Sequence, residues 1–291
     1  MGKKIKLVTM VHNAYPTVTK KELAKRIGIS RSSLYYHHKQ PAIDKEVKAQ
    51  IESVLFEHPS YGHKRIALEL KLNKKRILRV MKKYGIQPYR RRVSKPRKKD
   101  DQGKQIVQYK NHIHDICPIR PGIIWVSDFT YIRYQERFIY FATIMDLYTR
   151  EIVGWNIGRF HNKELVLGAL EHALSRCSTP HIIHSDQGSE YESTLYTTRA
   201  EHAGITVSMS AKQSPWHNAH QESFYSHFKV DLGESNRFDH LGELIEAINQ
   251  GVYYYNNKRI HTSLKMSPVA FKKRWEDQQS STESVSKKLG T

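Results

Sequence analysis

Between Ile123 and Phe160 the chain passes through three successive runs rich in β-branched and aromatic residues: IIWVSDFTYIRY, RFIYFATIMDLYT and REIVGWNIGRF. Only Gln135-Glu136 and Thr149-Arg150 mark the joins. Connections this short specify an antiparallel meander, because a parallel pair needs a crossover of a dozen or more residues. The period then changes. KELVLGALEHAL (163–174) spaces its apolar residues as a helix does, and HIIHSD (181–186) is a short apolar run whose place after a helix fits a parallel central strand. A helix near Leu195–His202 precedes Gly204 and the strand ITVSMS, and another helix follows. Such a succession describes a mixed sheet covered by helices.

Three strands, helix, strand, helix, strand, helix is the order of a ribonuclease H-like fold. The expected class is therefore α/β: a mixed five-stranded sheet with flanking helices, preceded by an all-α region containing a helix–turn–helix. In that order Asp128 falls mid-way along the first strand, Asp186 at the end of the fourth, and Glu222 on the helix HNAHQESFYSHFK. The spacing of 35 residues between Asp186 and Glu222 says little by itself. With 9 Asp and 13 Glu in the 192 positions from 100 onward, chance supplies about 0.6 such pairs. Placement is more telling, because a mid-strand Asp in an apolar run is costly unless something compensates its charge, as a cation does. At about 100° per residue, Asn218, Ser226 and Lys229 lie within about 40° of Glu222, with Phe224, Phe228 and Leu232 on the far side. The Phe/Leu stripe is expected on the sheet edge, with Glu222 and Lys229 on a shared polar face. The plainer readings make Glu222 a solvated partner of Lys229 and Asp186 a helix cap. Three oxygen-donor side chains can hold Mg²⁺ (or Mn²⁺), and two such ions can drive an in-line displacement at phosphorus. Water then serves for nicking and a DNA 3′-hydroxyl for strand transfer, with no Ser, Cys or Tyr nucleophile.

The charge of +20 is unevenly placed. Residues 1–99 hold 27 Lys and Arg against 6 Asp and Glu, whereas residues 100–291 hold 21 against 22. A basic block of this size suits a polyanion, whose condensed counterions are released on binding. A solubilising surface or a patch for anionic membrane is the alternative. Residues 20–27 place Leu23, Ala24 and Ile27 on one helical face, Gly28 suits a turn, and Ser30 can cap a second helix carrying Leu34. In a helix–turn–helix that second helix would bring Arg31, Ser32 and Ser33 near base edges; an ordinary antiparallel helix pair has the same periodicity. After Pro41 and the break at His58–Gly62, Lys64–Leu70 and Lys74–Tyr84 read as two short helices with Ile66, Leu70, Ile77, Leu78 and Met81 inside. Lys74, Lys75, Arg76 and Arg79 make the second strongly basic, and Arg90, Arg91 and Arg92 open a charged linker. The expected divisions are 1–40 and 41–90 for the two DNA-binding units, 91–119 for the linker, 120–276 for the catalytic core and 277–291 for a disordered tail.

Cys117 and Cys177 stand 60 residues apart, which argues against a disulfide framework or a Cys/His zinc site and for a reducing compartment. His37 and His38 have no Cys pair near them and read as helix-surface residues. No apolar run nears the ~18 residues of a membrane span, and the N-terminus has no signal-peptide core, so an intracellular protein is expected.

Taken together, ISRSSLYYH, HPSYGHKRI, WVSDFTYI, HSDQGSEY, the HNAHQESFYSHFK helix and YNNKRIHTSLKMSPVAF resemble the transposases of bacterial insertion sequences with a retroviral-integrase-like DDE core. The resemblance is strongest to the second-frame product of two-frame elements and spans most of the chain. It implies that Asp128, Asp186 and Glu222 form a metal-binding catalytic triad and that Lys229 contacts DNA. It also implies terminal inverted repeats and target DNA as partners, a homo-oligomer on DNA, an upstream-frame partner or fusion, and a bacterial cytoplasmic setting at the nucleoid. His217 departs from the family pattern, where many members have Asp before Asn-Ala; altered capping or DNA contact is expected, with catalysis kept. Two other functions fit the residues less closely: a regulator that occupies element ends without catalysis, and a structure-selective nuclease.

Overall fold

The computed structural model describes residues 2–30, 32, 40–90, 109–113, 116–210 and 219–289. The chain divides into two compact units, 1–52 and 53–291. In the first, α1 (Gly2–Ala14) packs with α2 (Lys20–Ile27), and Lys4 Nζ donates to Ile27 O at 3.3 Å. Helix α2 starts where its sequence dictates. Thr19 and Glu22 form a reciprocal capping box, and Gly28 ends the helix at φ 69°. Leu23 and Ala24 are buried as expected. Arg31, Ser33, Leu34, His37 and His38 lie outside the described residues; Ser32 is described, its hydroxyl 3.0 Å from that of Ser30.

Helix α3 (Gln40–Glu57) crosses the boundary between the units. Pro41 was expected to begin a new unit, but it occupies the first helical turn, where a missing N–H breaks no intrahelical bond. Next come α4 (His63–Glu69) and α5 (Lys74–Tyr84), close to the expected limits. The separate unit expected over 41–90 is corrected: residues from 53 onward belong with the sheet. The break before α4 supplies the reason, since it carries docking groups. Tyr61 Oη accepts from Ile260 N at 2.8 Å, His58 Nδ1 lies 2.7 Å from Tyr254 Oη, and Ser60 bonds to Asp231.

The sheet has the order β3-β2-β1-β4-β5, formed by β1 (Ile124–Tyr134), β2 (Arg137–Asp146), β3 (Ile152–Gly158), β4 (Ile182–Ser185) and β5 (Thr206–Met209). β1, β2 and β3 are an antiparallel meander; β4 runs parallel to both β1 and β5. On one face Trp125, Ile144 and Val153 pack against α6 (Lys163–Leu174) and α7 (Thr194–His202). On the other, Val126, Phe141 and Met145 meet Phe224, Phe228 and Leu232 of α8 (Ala219–Leu232) and Leu244, Ile248 and Val252 of α9 (Leu241–Asn257). Adjacent residues such as Trp125 and Val126 thus serve opposite cores, as the strand period of two demands. The Phe/Leu stripe of α8 covers this sheet face, a correction to the edge position expected: only a face offers apolar side chains enough to bury three large residues.

Helix α10 (Pro268–Leu289) replaces the disordered tail expected from 277. Its sequence has no internal Pro or Gly, and Ser280 and Ser281 bond back to the carbonyls of Glu276 and Asp277. The end of the expected linker is ordered too: His112 N donates to Ser208 Oγ at 2.9 Å and Ile113 is buried. Among the described residues no helix is long and apolar enough to cross a membrane.

Candidate active site

β1 and α8 are stitched together at matching intervals. Gln221 Nε2 donates to Val126 O at 2.8 Å, Tyr225 Oη donates to Asp128 O at 2.6 Å, and Lys229 Nζ donates to Thr130 Oγ1 at 2.7 Å. Four helical residues advance about 6 Å and two strand residues about 6.6 Å, so α8 makes one contact with β1 per turn. Thr143, the β2 partner of Asp128, donates to Gln221 Oε1 at 3.1 Å, and its hydroxyl lies 2.8 Å from Tyr225 Oη. Gln221 and Thr143 are fully buried, so this polar cluster is satisfied internally. The sequence reading missed Gln221 and Tyr225; the available signal was their i, i+4 spacing on either side of Glu222.

Tyr225→Phe tests the stitch. It keeps the ring in the core but removes the hydroxyl that donates to the Asp128 carbonyl, at an expected cost of about 0.5–1.5 kcal/mol. The measurement is the urea midpoint, which should fall at constant slope; an unchanged midpoint would mean the hydroxyl contributes nothing.

Asp128 lies mid-strand and partly exposed, with Oδ1 accepting from Phe129 N at 2.8 Å. Burial first, then the Asp186 charge and more weakly Glu222, push its carboxyl up to about 8, against the Phe129 amide and Lys229. Asp186 follows the last residue of β4 and is itself raised, by burial and then by Glu190. Glu190 is a third residue the sequence reading passed over, and it pairs with His161 at 2.8 Å. Gly188 lies between the two carboxylates: a Cβ there would stand 2.9 Å from Glu190 Oε2 and 3.5 Å from Asp186 Oδ1. Glu222 is exposed on the first turn of α8. Among the described residues, no three His, Cys, Asp or Glu side chains close into a metal cage.

The remaining candidates are dispersed. Lys229 is half-buried against β1, with Nζ 4.9 Å from the Tyr131 ring centroid. Lys74, Lys75, Arg76 and Arg79 are exposed on α5, and Arg90 is exposed beyond it. Arg91, Arg92, His217 and Asn218 lie outside the described residues.

Comparison with known proteins agrees with this architecture. Two models, each described as an integrase core domain, match residues 118–215 and 203–268. The transposase for insertion sequence element IS904 of Lactococcus lactis is 32% identical over 254 residues, covering 81% of this chain and 98% of that protein. The 31 kDa protein of insertion element IS600 from Shigella sonnei is 31% identical over 264 residues, covering 85% and 96%. A chain in the simian T-cell lymphotropic virus intasome in complex with the PP2A regulatory subunit B56 gamma shares the fold at a TM-score of 0.50 and 14% identity, covering 77% of this chain and 74% of that one. The chain belongs to the transposases of bacterial insertion sequences with a retroviral-integrase-like core, polynucleotidyl transferases of the DDE class.

Proposed function

We propose that this transposase cleaves the ends of its insertion sequence and joins them to target DNA by attack of a DNA 3′-hydroxyl, with Asp128, Asp186 and Glu222 as the catalytic carboxylates. One observation carries the reading: mid-strand on β1, the Asp128 carboxyl is pushed up to about 8 by burial and by the charges of Asp186 and Glu222. A carboxylate raised in this way is relieved by a divalent cation, and an all-oxygen donor set suits hard Mg²⁺, with Mn²⁺ able to replace it. When bound, two such ions would activate the attacking oxygen and stabilise the leaving one.

The chain's own residues do the positioning. Asp128 is fixed by its strand and by the Tyr225 bond to its carbonyl, and it must shed its proton before it can ligate a cation. Lys229, tied to Thr130, presents a cation along the same strand for a DNA phosphate. The exposed basic residues of α5, with Arg90, hold duplex DNA; Arg31, Ser32 and Ser33 read the element ends, and Arg91 and Arg92 extend the basic track. Assembly on DNA joins copies of this chain, with or without an upstream-frame partner, in the bacterial cytoplasm at the nucleoid.

The test uses purified protein, Mg²⁺ and DNA carrying the element's terminal inverted repeats. Asp186→Asn is expected to lower joined product by about 10³-fold, equivalent to about 4 kcal/mol of transition-state stabilisation. Full joining by this variant refutes the assignment, and so does wild-type protein that binds the ends without forming product.

A further inference from the structure

One turn beyond Glu222 along α8, a cleft of about 430 Å³ opens between α4, α8 and the segment after α9. Lys64, Arg65, Arg90, His227 and Arg259 line it, and no carboxylate is among the described residues that do. These groups come from four separate stretches of chain, so the fold gathers them. Arg259 is 3% exposed, and its Nε donates to Asp231 Oδ2 at 2.5 Å. Among the described residues, its buried Nη2 has no hydrogen-bond partner. Such a nitrogen is costly, because removal from water takes a strong donor away from its acceptors. Arg65 stands close by, with Nε donating to Ile260 O at 2.9 Å. Burial first, then the charge of Arg259, bring its guanidinium down to about 10. Asp231 answers only part of this concentrated positive charge.

The cleft also has a useful position. Ser226, on its wall, lies four residues after Glu222, about 6 Å along the helix axis and on the same side. A DNA strand with one phosphate at the carboxylates would carry a neighbouring phosphate here. We propose that this cleft binds a backbone phosphate of the DNA strand entering the carboxylate site, held by Arg65 and Arg259 with Lys64 and Arg90 at the rim. The inference rests on DNA being the substrate, but it assigns a contact independent of the metal chemistry.

The experiment is fluorescence anisotropy with the full-length protein and a duplex of about 30 base pairs, titrated across about 50–300 mM NaCl without divalent cation. Arg65→Gln tests the buried pair, and Lys64→Gln and Arg90→Gln test the rim at exposed positions. Each variant is expected to bind about fivefold more weakly, with the slope of log Kd against log salt reduced by about one. Wild-type salt slopes in variants that melt as the wild type does would overturn the inference. Failure of the transposase mechanism shows up differently, as wild-type protein that forms no joined product with Mg²⁺. That result leaves the metal-free binding slopes to decide the phosphate site.

Discussion

Asp128→Asn is expected to abolish DNA joining, by about 10³-fold or more, and at the same time to make the metal-free protein more stable at pH 8. The two effects share one cause. Asn is nearly isosteric with Asp and keeps the backbone contacts to Phe129 and Tyr225, but it brings no charge to ligate a cation or to be desolvated. In the unfolded chain the Asp carboxyl titrates near 3.9, whereas in the fold burial and Asp186 lift it to about 8. Between those values the folded protein binds the extra proton. Its contribution to stability is therefore complete below about pH 4 and is lost as pH rises through about 8. The wild type without metal should melt progressively lower from pH 5 to 8.5, and Asp128→Asn should flatten that slope. At pH 8 the variant should melt about 3–5 °C above the wild type, the familiar trade of a strained site against stability. Calorimetry in the presence of a chelator reads this directly. A variant that is inactive and also melts lower at pH 8 would show that Asp128 supports the fold rather than burdening it.

Gly154→Ala should be the most damaging single methyl in the core. Gly154 lies on β3 where α6 crosses it, and an added Cβ would sit 2.4 Å from Ala169 O, 2.6 Å from Ala173 Cβ and 2.8 Å from Ala173 N. Two of these atoms are helix backbone and cannot step aside alone. Either α6 lifts from the sheet, opening the core around Val166, Ala169 and Leu170, or the strand bends. Overpacking of this kind costs about 3 kcal/mol or more, about 6–12 °C in melting temperature for a unit of this size. Gly242 supplies the control. It lies in the first turn of α9, and among the described residues nothing stands within 4 Å of an added Cβ, so Gly242→Ala should be neutral or raise stability by about 0.5–1 kcal/mol. Equal losses in both variants would show that glycine flexibility, rather than the β3–α6 approach, sets the effect.

The contrast between these two glycines marks a wider division. Period, caps and turns are local properties, and they were legible in the residues. The meander, the helix over 163–174 and the short parallel strand followed from apolar spacing and connection length. Helix α2 could be placed because Leu23, Ala24 and Ile27 share one face and Gly28 suits the turn after it, and the mid-strand position of Asp128 came from the same kind of local reasoning. Local signals also misled: Pro41 looks like a boundary until it falls in a first turn, and the polar run after 277 looks unstructured although nothing in it interrupts a helix. What no local pattern contains is which distant group a polar side chain will meet. Gln221 and Tyr225 read as ordinary helix residues, yet they join α8 to β1. Glu190 acts on Asp186 only because the chain turns back after β4. Arg65 and Arg259, 194 positions apart in the chain, come to share one cleft only because Tyr61 and Ile260 dock. The elements, their order and the segregation of charge could be read from the residues alone, because these depend on the chain's local composition and on neighbours a few residues away. Tertiary structure decided the desolvation of the carboxylates and the gathering of the cations, because burial and Coulomb energy depend on distances that chain position does not specify.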